Sequence, residues 1–146
     1  MLTNKEVSEI CKKINIPLVG VFSKNELPDF VKHRGYIINL QDSDKGYGSH
    51  WVALSINKTG KAEYFDSFGF PAPNDVDEFL RNNGFIPYTS SEKHLQNIDS
   101  GTCGYYCIAF LHYTLVRGGS LKGFLDLFSP DVGDNNRILK AFFLNL

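Results

Sequence analysis

Gln96-Asn97-Ile98-Asp99-Ser100-Gly101-Thr102-Cys103-Gly104 is the stretch on which the reading of this chain turns. A polar, glycine-containing lead-in gives way at Cys103 to a hydrophobic run that continues to Arg117, where Gly118-Gly119 stops it. Cys103, Cys107, Phe110, Leu111, Thr114 and Leu115 recur on one helical stripe, so residues 103–117 read as a buried helix with a thiol in its first turn. At that place free backbone N–H groups and the positive end of the helix dipole favour an anion. A loop-to-helix junction is a poor position for a packing cysteine, whereas a thiolate there is a nucleophile. Gly104 is read as leaving the backbone beside the sulfur uncovered, so that a substrate carbonyl could approach.

Upstream, His50 to Ile56 reads as a strand, Asn57-Lys58-Thr59-Gly60 as its turn, and Lys61 to Asp66 as the returning strand. The hairpin brings His50 and Asp66 to the same end of the sheet. A carboxylate there accepts the imidazole N–H, fixes its tautomer and stabilises the imidazolium. Taken singly, His50 reads first as a satisfied core or edge histidine, and Asp66 as the cap of a turn over Ser67-Phe68-Gly69. Gln96, seven residues before Cys103, supplies an amide N–H for an oxyanion. Together these four residues are nucleophile, base, orienting acid and oxyanion donor, the parts of a thiol hydrolase.

The other elements fit around this frame. Thr3 and Glu6 form a capping-box pattern ahead of Val7, Ile10, Cys11 and Ile14, giving a helix over 4–14 that Pro17 ends. Leu18 to Phe22 and Tyr36 to Leu40 read as strands. Asn74 caps a helix over 75–82, and Phe85 to Tyr88 reads as a further short strand. Leu121 to Phe128 and Asn135 to Leu144 read as closing helices. A helix, a block of strands and then helices make an α+β fold. Its central sheet is expected to be mixed and antiparallel-rich, flanked by helices, with the nucleophile at the N-terminus of a buried helix.

Composition bounds the function. One domain over residues 1–146 is expected, long enough to bury a core without disulfides or metals. Fifteen Lys and Arg against sixteen Asp and Glu give a net charge of −1, which argues against a broad nucleic-acid footprint. Lys12-Lys13 and Lys32-His33-Arg34 are isolated basic spots. No apolar run spans a bilayer, and the first residues show no signal-peptide core. Three cysteines without such a signal fit a reducing compartment, with Cys11 and Cys107 as packing residues. Cys103, Cys107 and His112 lack zinc-site spacing, so no metal is expected. His33, His94 and His112 show no setting comparable to that of His50.

Gly48-Ser49-His50-Trp51, Tyr64-Phe65-Asp66-Ser67-Phe68-Gly69-Phe70 and Gln96-(six residues)-Cys103-Gly104 resemble the active-site motifs of the adenovirus-type maturation protease family, the adenains. They are also similar to those of the related ubiquitin-like-protein proteases, and the order His, acid, Gln, Cys-Gly is that clan's. The resemblance extends to Pro17–Lys24, Leu27–Phe30 and Cys103–His112, and so runs from the first helix to about Arg117. It implies Cys103 as nucleophile, His50 as general base and then acid, Asp66 as its orienter, and Gln96 with the Cys103 amide as oxyanion hole. Trp51, by the same resemblance, lines a narrow cleft that favours glycine or other small residues before the cut. The acid is Asp, as in the ubiquitin-like-protein proteases, where adenain has Glu.

The implied function is a cysteine endopeptidase that matures viral capsid or core precursors, working as a monomer in the virion or the infected cell's cytoplasm or nucleus. Ubiquitin-like-modifier proteolysis, acyl transfer on the same frame, and a catalytically silent binding role are the alternatives. No cofactor is needed for the chemistry. The family's activating peptide and DNA are the implied partners besides the protein substrate; the loop before Gln96 carries no cysteine to which such a peptide could be joined.

Overall fold

The computed structural model describes residues 2–29, 33–40, 50–96 and 102–146. The sheet has five strands, β1 (Leu18–Ser23), β2 (Gly35–Asn39), β3 (Trp51–Ile56), β4 (Ala62–Phe65) and β5 (Thr89–Ser90), lying in sequence order. β2, β3 and β4 are antiparallel to one another, while β1 and β5 add in parallel at the two edges. Among the described residues five helices flank it: α1 (Asn4–Lys13), α2 (Asn74–Asn82), α3 (Cys103–Leu111), α4 (Leu121–Leu125) and α5 (Val132–Leu144). The mixed α+β architecture read from the sequence is therefore the one observed.

Both faces of the sheet are covered, and this explains why its central strands are apolar nearly throughout. Ile37, Trp51, Ala53 and Phe65 point to one side, where they join Val7 and Cys11 of α1, most of α3, Phe124 of α4, and Leu139 and Phe142 of α5. Tyr36, Ile38, Val52, Leu54, Ile56 and Tyr64 point to the other, against Val76, Phe79 and Leu80 of α2. Every residue of β2, β3 and β4 is buried. Gly35 is needed for this packing, because a Cβ there would lie 3.0 Å from both Leu111 and Leu115 side chains.

Local chemistry sets the element ends. The capping box is present: the Thr3 hydroxyl accepts from Glu6 N–H and the Glu6 carboxylate accepts from Thr3 N–H. α1 ends at Lys13, before Pro17, because Asn15 turns the chain with φ 63°. In the β3–β4 turn Asn57 Oδ1 accepts from the N–H groups of Thr59 and Lys61, and Gly60 takes φ 87°. His50 lies just before β3, its carbonyl accepting from Leu40 N–H at 3.0 Å.

Several sequence expectations shift. Asn74 is the first residue of α2 and not its cap; Pro73 holds the cap position with no side-chain bond. The fifth strand is Thr89–Ser90 rather than 85–88, because it forms only by parallel pairing with Glu63 and Tyr64, a contact that local pattern does not encode. The 103–117 helix is α only to Leu111 and continues as a π turn over His112–Val116. Its single stripe is also too narrow a description: of α3 only Tyr105 is exposed, since β3, α1 and α5 all pack on the helix. Finally, α5 begins at Val132, where Asp131 Oδ1 caps Gly133 N–H at 3.0 Å. The loop 41–49, the lead-in 97–101 and Lys32 lie outside the described residues.

Asn135, fully buried, is a clamp between distant segments. Its amide donates to the carbonyls of Leu95 and Ser129, and its oxygen accepts from Ser129 N–H at 2.7 Å. Replacing it strands the buried Leu95 carbonyl, at about 1–3 kcal/mol when left unsatisfied, and frees two part-buried Ser129 backbone groups that water can partly satisfy. Asn135→Ala is expected to destabilise the fold by about 2–4 kcal/mol, measured by urea denaturation; a loss within error of zero would show that the clamp carries no weight.

Candidate active site

Three segments converge at one end of the sheet: the residue before β3, the residue after β4 and the first residue of α3. His50 Nε2 and Asp66 Oδ1 are 2.7 Å apart, with Asp66 almost wholly buried. The same carboxylate oxygen accepts from Phe68 N–H at 2.8 Å, and Asp66 carbonyl accepts from Gly69 N–H at 2.8 Å. Turn cap and histidine partner, the two readings of Asp66 available from sequence, are thus both realised in one carboxylate. Ser91 fixes the backbone beneath it: Asp66 N–H donates to the Ser91 hydroxyl, which donates to Asp66 carbonyl.

Cys103 opens α3 and is buried, at 2 % exposure. Trp51 N–H donates to Sγ at 3.5 Å. Burial opposes ionisation of this thiol, but interaction with His50, the Trp51 and Gly104 N–H groups and the imidazolium charge outweigh it, and its pKa is lowered from the ordinary thiol value. His50 responds in the complementary sense. Burial alone would discharge the imidazolium, yet Asp66 and Cys103 hold its pKa up, to about 9. Its Nδ1 is buried and has no hydrogen-bond partner of ordinary geometry among the described residues. Such contacts often tighten only when substrate is bound. The two shifts favour a thiolate–imidazolium pair.

The two remaining cysteines behave oppositely. Burial pushes Cys11 up to about 12, and Cys107, one turn deeper in α3, is driven well above the ordinary value by burial and by neighbouring Cys103. Neither carries a thiolate at neutral pH.

Gln96 is buried rather than exposed, and its Oε1 accepts from the Ser67 hydroxyl at 2.5 Å. Trp51 and Gly104 lie close together in a tightly packed place beside the sulfur. The indole is 3 % exposed and belongs to the core, and the side of Gly104 that a Cβ would occupy faces Leu2 and Trp51 at 3.2 and 3.5 Å. The contact Trp51 makes with the sulfur is through its backbone N–H.

Sequence reading missed three neighbours. The Phe68 ring stacks on His50, centroids 4.2 Å apart and planes 11° from parallel, and so limits rotation of the imidazole. His94 contacts both the Phe68 ring and the Gln96 carbonyl. Ser67 holds Gln96. Their only sequence signal is adjacency to Asp66 and Gln96. His112 lies away from this group, edge-on to Phe142, and His33 bonds the Asn57 carbonyl in the hairpin turn.

No protein-family model matches the chain. Among solved structures, the fold is similar to that of the ASFV pS273R protease, with 18 % identity and a TM-score of 0.64 over 97 % of this chain and 66 % of that one. It is also similar to the central domain of the uncharacterized Lpg1148 protein from Legionella pneumophila, with 14 % identity and a TM-score of 0.54 over 99 % of this chain and 94 % of that domain. The chain thus spans slightly less than two thirds of the viral protease. At such identities the likeness establishes the fold, a mixed five-stranded sheet with flanking helices that a known protease also uses.

If the pair forms as the shifts indicate, iodoacetamide should label Cys103 rapidly at about pH 6, far below the range of a free thiol, and leave Cys11 and Cys107 unlabelled. His50→Ala should move the Cys103 profile upward toward ordinary thiol behaviour. Per-cysteine mass spectrometry reads both; Cys103 labelling indifferent to His50 would remove the pair.

Proposed function

We propose that the chain is a cysteine endopeptidase, with Cys103 as nucleophile, His50 as general base and acid, Asp66 as orienter of His50, and Gln96 as an oxyanion donor. The observation that carries this reading is the convergence of Cys103, His50 and Asp66, with the thiol shifted down and the imidazole shifted up. Similarity to the fold of a protease supports it.

In the first step Sγ bonds to the scissile carbonyl carbon and the carbonyl oxygen takes the negative charge. The C–N bond then breaks, and the amine leaves with the proton from His50. Water next attacks the thioester, His50 takes its proton, and the S–C bond breaks to release the acid and restore the pair. A nucleophile on a residue only 2 % exposed is more readily reached by a slender stretch of backbone, which supports glycine or another small residue before the cut. The motif resemblance to the adenain family extends the proposal to structural precursor proteins of a virus as the substrates, cleaved inside the virion or the infected cell.

Wild type should cleave members of a fluorogenic peptide library that carry Gly or Ala before the cut. Cys103→Ala should abolish turnover and Cys107→Ala should retain it. Cleavage by the Cys103 variant, or failure of wild type to cleave any member while Cys103 alkylates rapidly, overturns the endopeptidase reading.

The pH profile follows from the two shifts. Protonation of the thiolate lowers the rate on the acid side. On the alkaline side His50 loses the proton owed to the leaving amine, so kcat should fall as pH passes about 9. Asp66→Asn removes a group that raises the His50 pKa; it should pull that alkaline limb downward and cost about 100-fold or more in kcat. An unmoved limb would take Asp66 out of the mechanism.

A further inference from the structure

We propose that Ser67 is a positioning residue that sets the orientation of the Gln96 carboxamide; this rests on Gln96 acting as the oxyanion donor. A glutamine side chain has several rotatable bonds and an end that presents either an acceptor or a donor. An oxyanion is stabilised only by the N–H edge, and only if that edge is held in place before the charge develops. The anchor must therefore engage the oxygen. Ser67 does so: its hydroxyl donates to Gln96 Oε1 at 2.5 Å, and both residues are buried, at 0 % and 1 % exposure.

The backbone reinforces the side-chain contact. Ser67 carbonyl accepts from Leu95 N–H at 2.8 Å, so Ser67 bonds the residue before Gln96 as well as Gln96 itself. Leu95 carbonyl is in turn held by Asn135 at 2.9 Å, and the Gln96 carbonyl is contacted by His94. The serine follows Asp66 directly. Two consecutive residues at the end of β4 therefore serve the two halves of the chemistry: Asp66 aligns the base, and Ser67 aligns the amide.

The test uses acylation by N-acetylglycine p-nitrophenyl ester, which transfers its acyl group to the Cys103 sulfur and releases p-nitrophenolate, alongside alkylation by iodoacetamide. Acylation builds an oxyanion; alkylation displaces iodide and builds none. Ser67→Ala should lower the acylation rate at saturating ester about tenfold, a fraction of the loss of a whole oxyanion donor, with KM little changed. Cys103 alkylation should keep its wild-type rate and pH profile, and in a Gln96→Ala background the serine change should have no further effect.

Where Ser67→Ala melts below the assay temperature, Ser67→Cys keeps the volume with a weaker donor and should show the same selective loss. Wild-type acylation by a folded serine variant, a loss undiminished in the Gln96→Ala background, or an equal loss of alkylation would overturn the proposal for Ser67. No acylation of Cys103 in wild type, or full acylation by Gln96→Ala alone, would instead overturn the reading on which it rests.

Discussion

The antiparallel register of β3 and β4 is the constraint from which the rest of the site follows. Ala53 opposes Phe65, so the chain just before β3 and the chain just after β4 end at the same edge of a buried sheet. Slippage by one residue would turn every inward side chain to the opposite face. With two hydrophobic layers to satisfy, one against α1, α3 and α5 and one against α2, such a slip is strongly disfavoured. The same register that packs the core thereby fixes the separation of His50 and Asp66, and the packing of α3 against β3 brings Cys103 to the end of that pair.

The price of this placement is desolvation of an acid, a base and a thiol in one buried cluster. Each charged form would be unfavourable alone. Together they compensate: the carboxylate holds the imidazolium, the imidazolium holds the thiolate, and backbone N–H groups of Trp51, Gly104 and Phe68 bond the negative atoms at either end. Cys107 sits one turn away without such partners and stays a neutral thiol. Burial therefore does not by itself decide the state of a cysteine; the His50 imidazole and the N–H groups beside the sulfur do.

What the sequence discloses is what short-range rules encode. The capping box at Thr3, the Asn57–Gly60 turn and the hydrophobic run from Cys103 each follow from residues within a few positions of one another. The hairpin then carries His50 to Asp66 because a two-strand ladder has simple geometry. Features set by contact across the fold are not legible. Thr89–Ser90 is a strand only because Glu63 and Tyr64 are there to pair with it. Ser67, Phe68 and Asn135 look like ordinary turn and helix residues until tertiary packing sets them against Gln96, His50 and Leu95. Leu2, a residue with no motif to mark it, is likewise set beside Gly104 only by the tertiary fold.

The Asn135 clamp has a consequence for the order in which the molecule is made. On the ribosome the sheet and α3 emerge before the turn at Ser129 and the start of α5. Until those residues arrive, Leu95 carbonyl lacks the Asn135 amide that holds it in the folded molecule. Cys103 and His50 are thus synthesised ahead of the residue that holds the segment leading to Gln96. A nascent chain holds the thiol, yet the full set of contacts along the segment leading to Gln96 dates from the docking of α5.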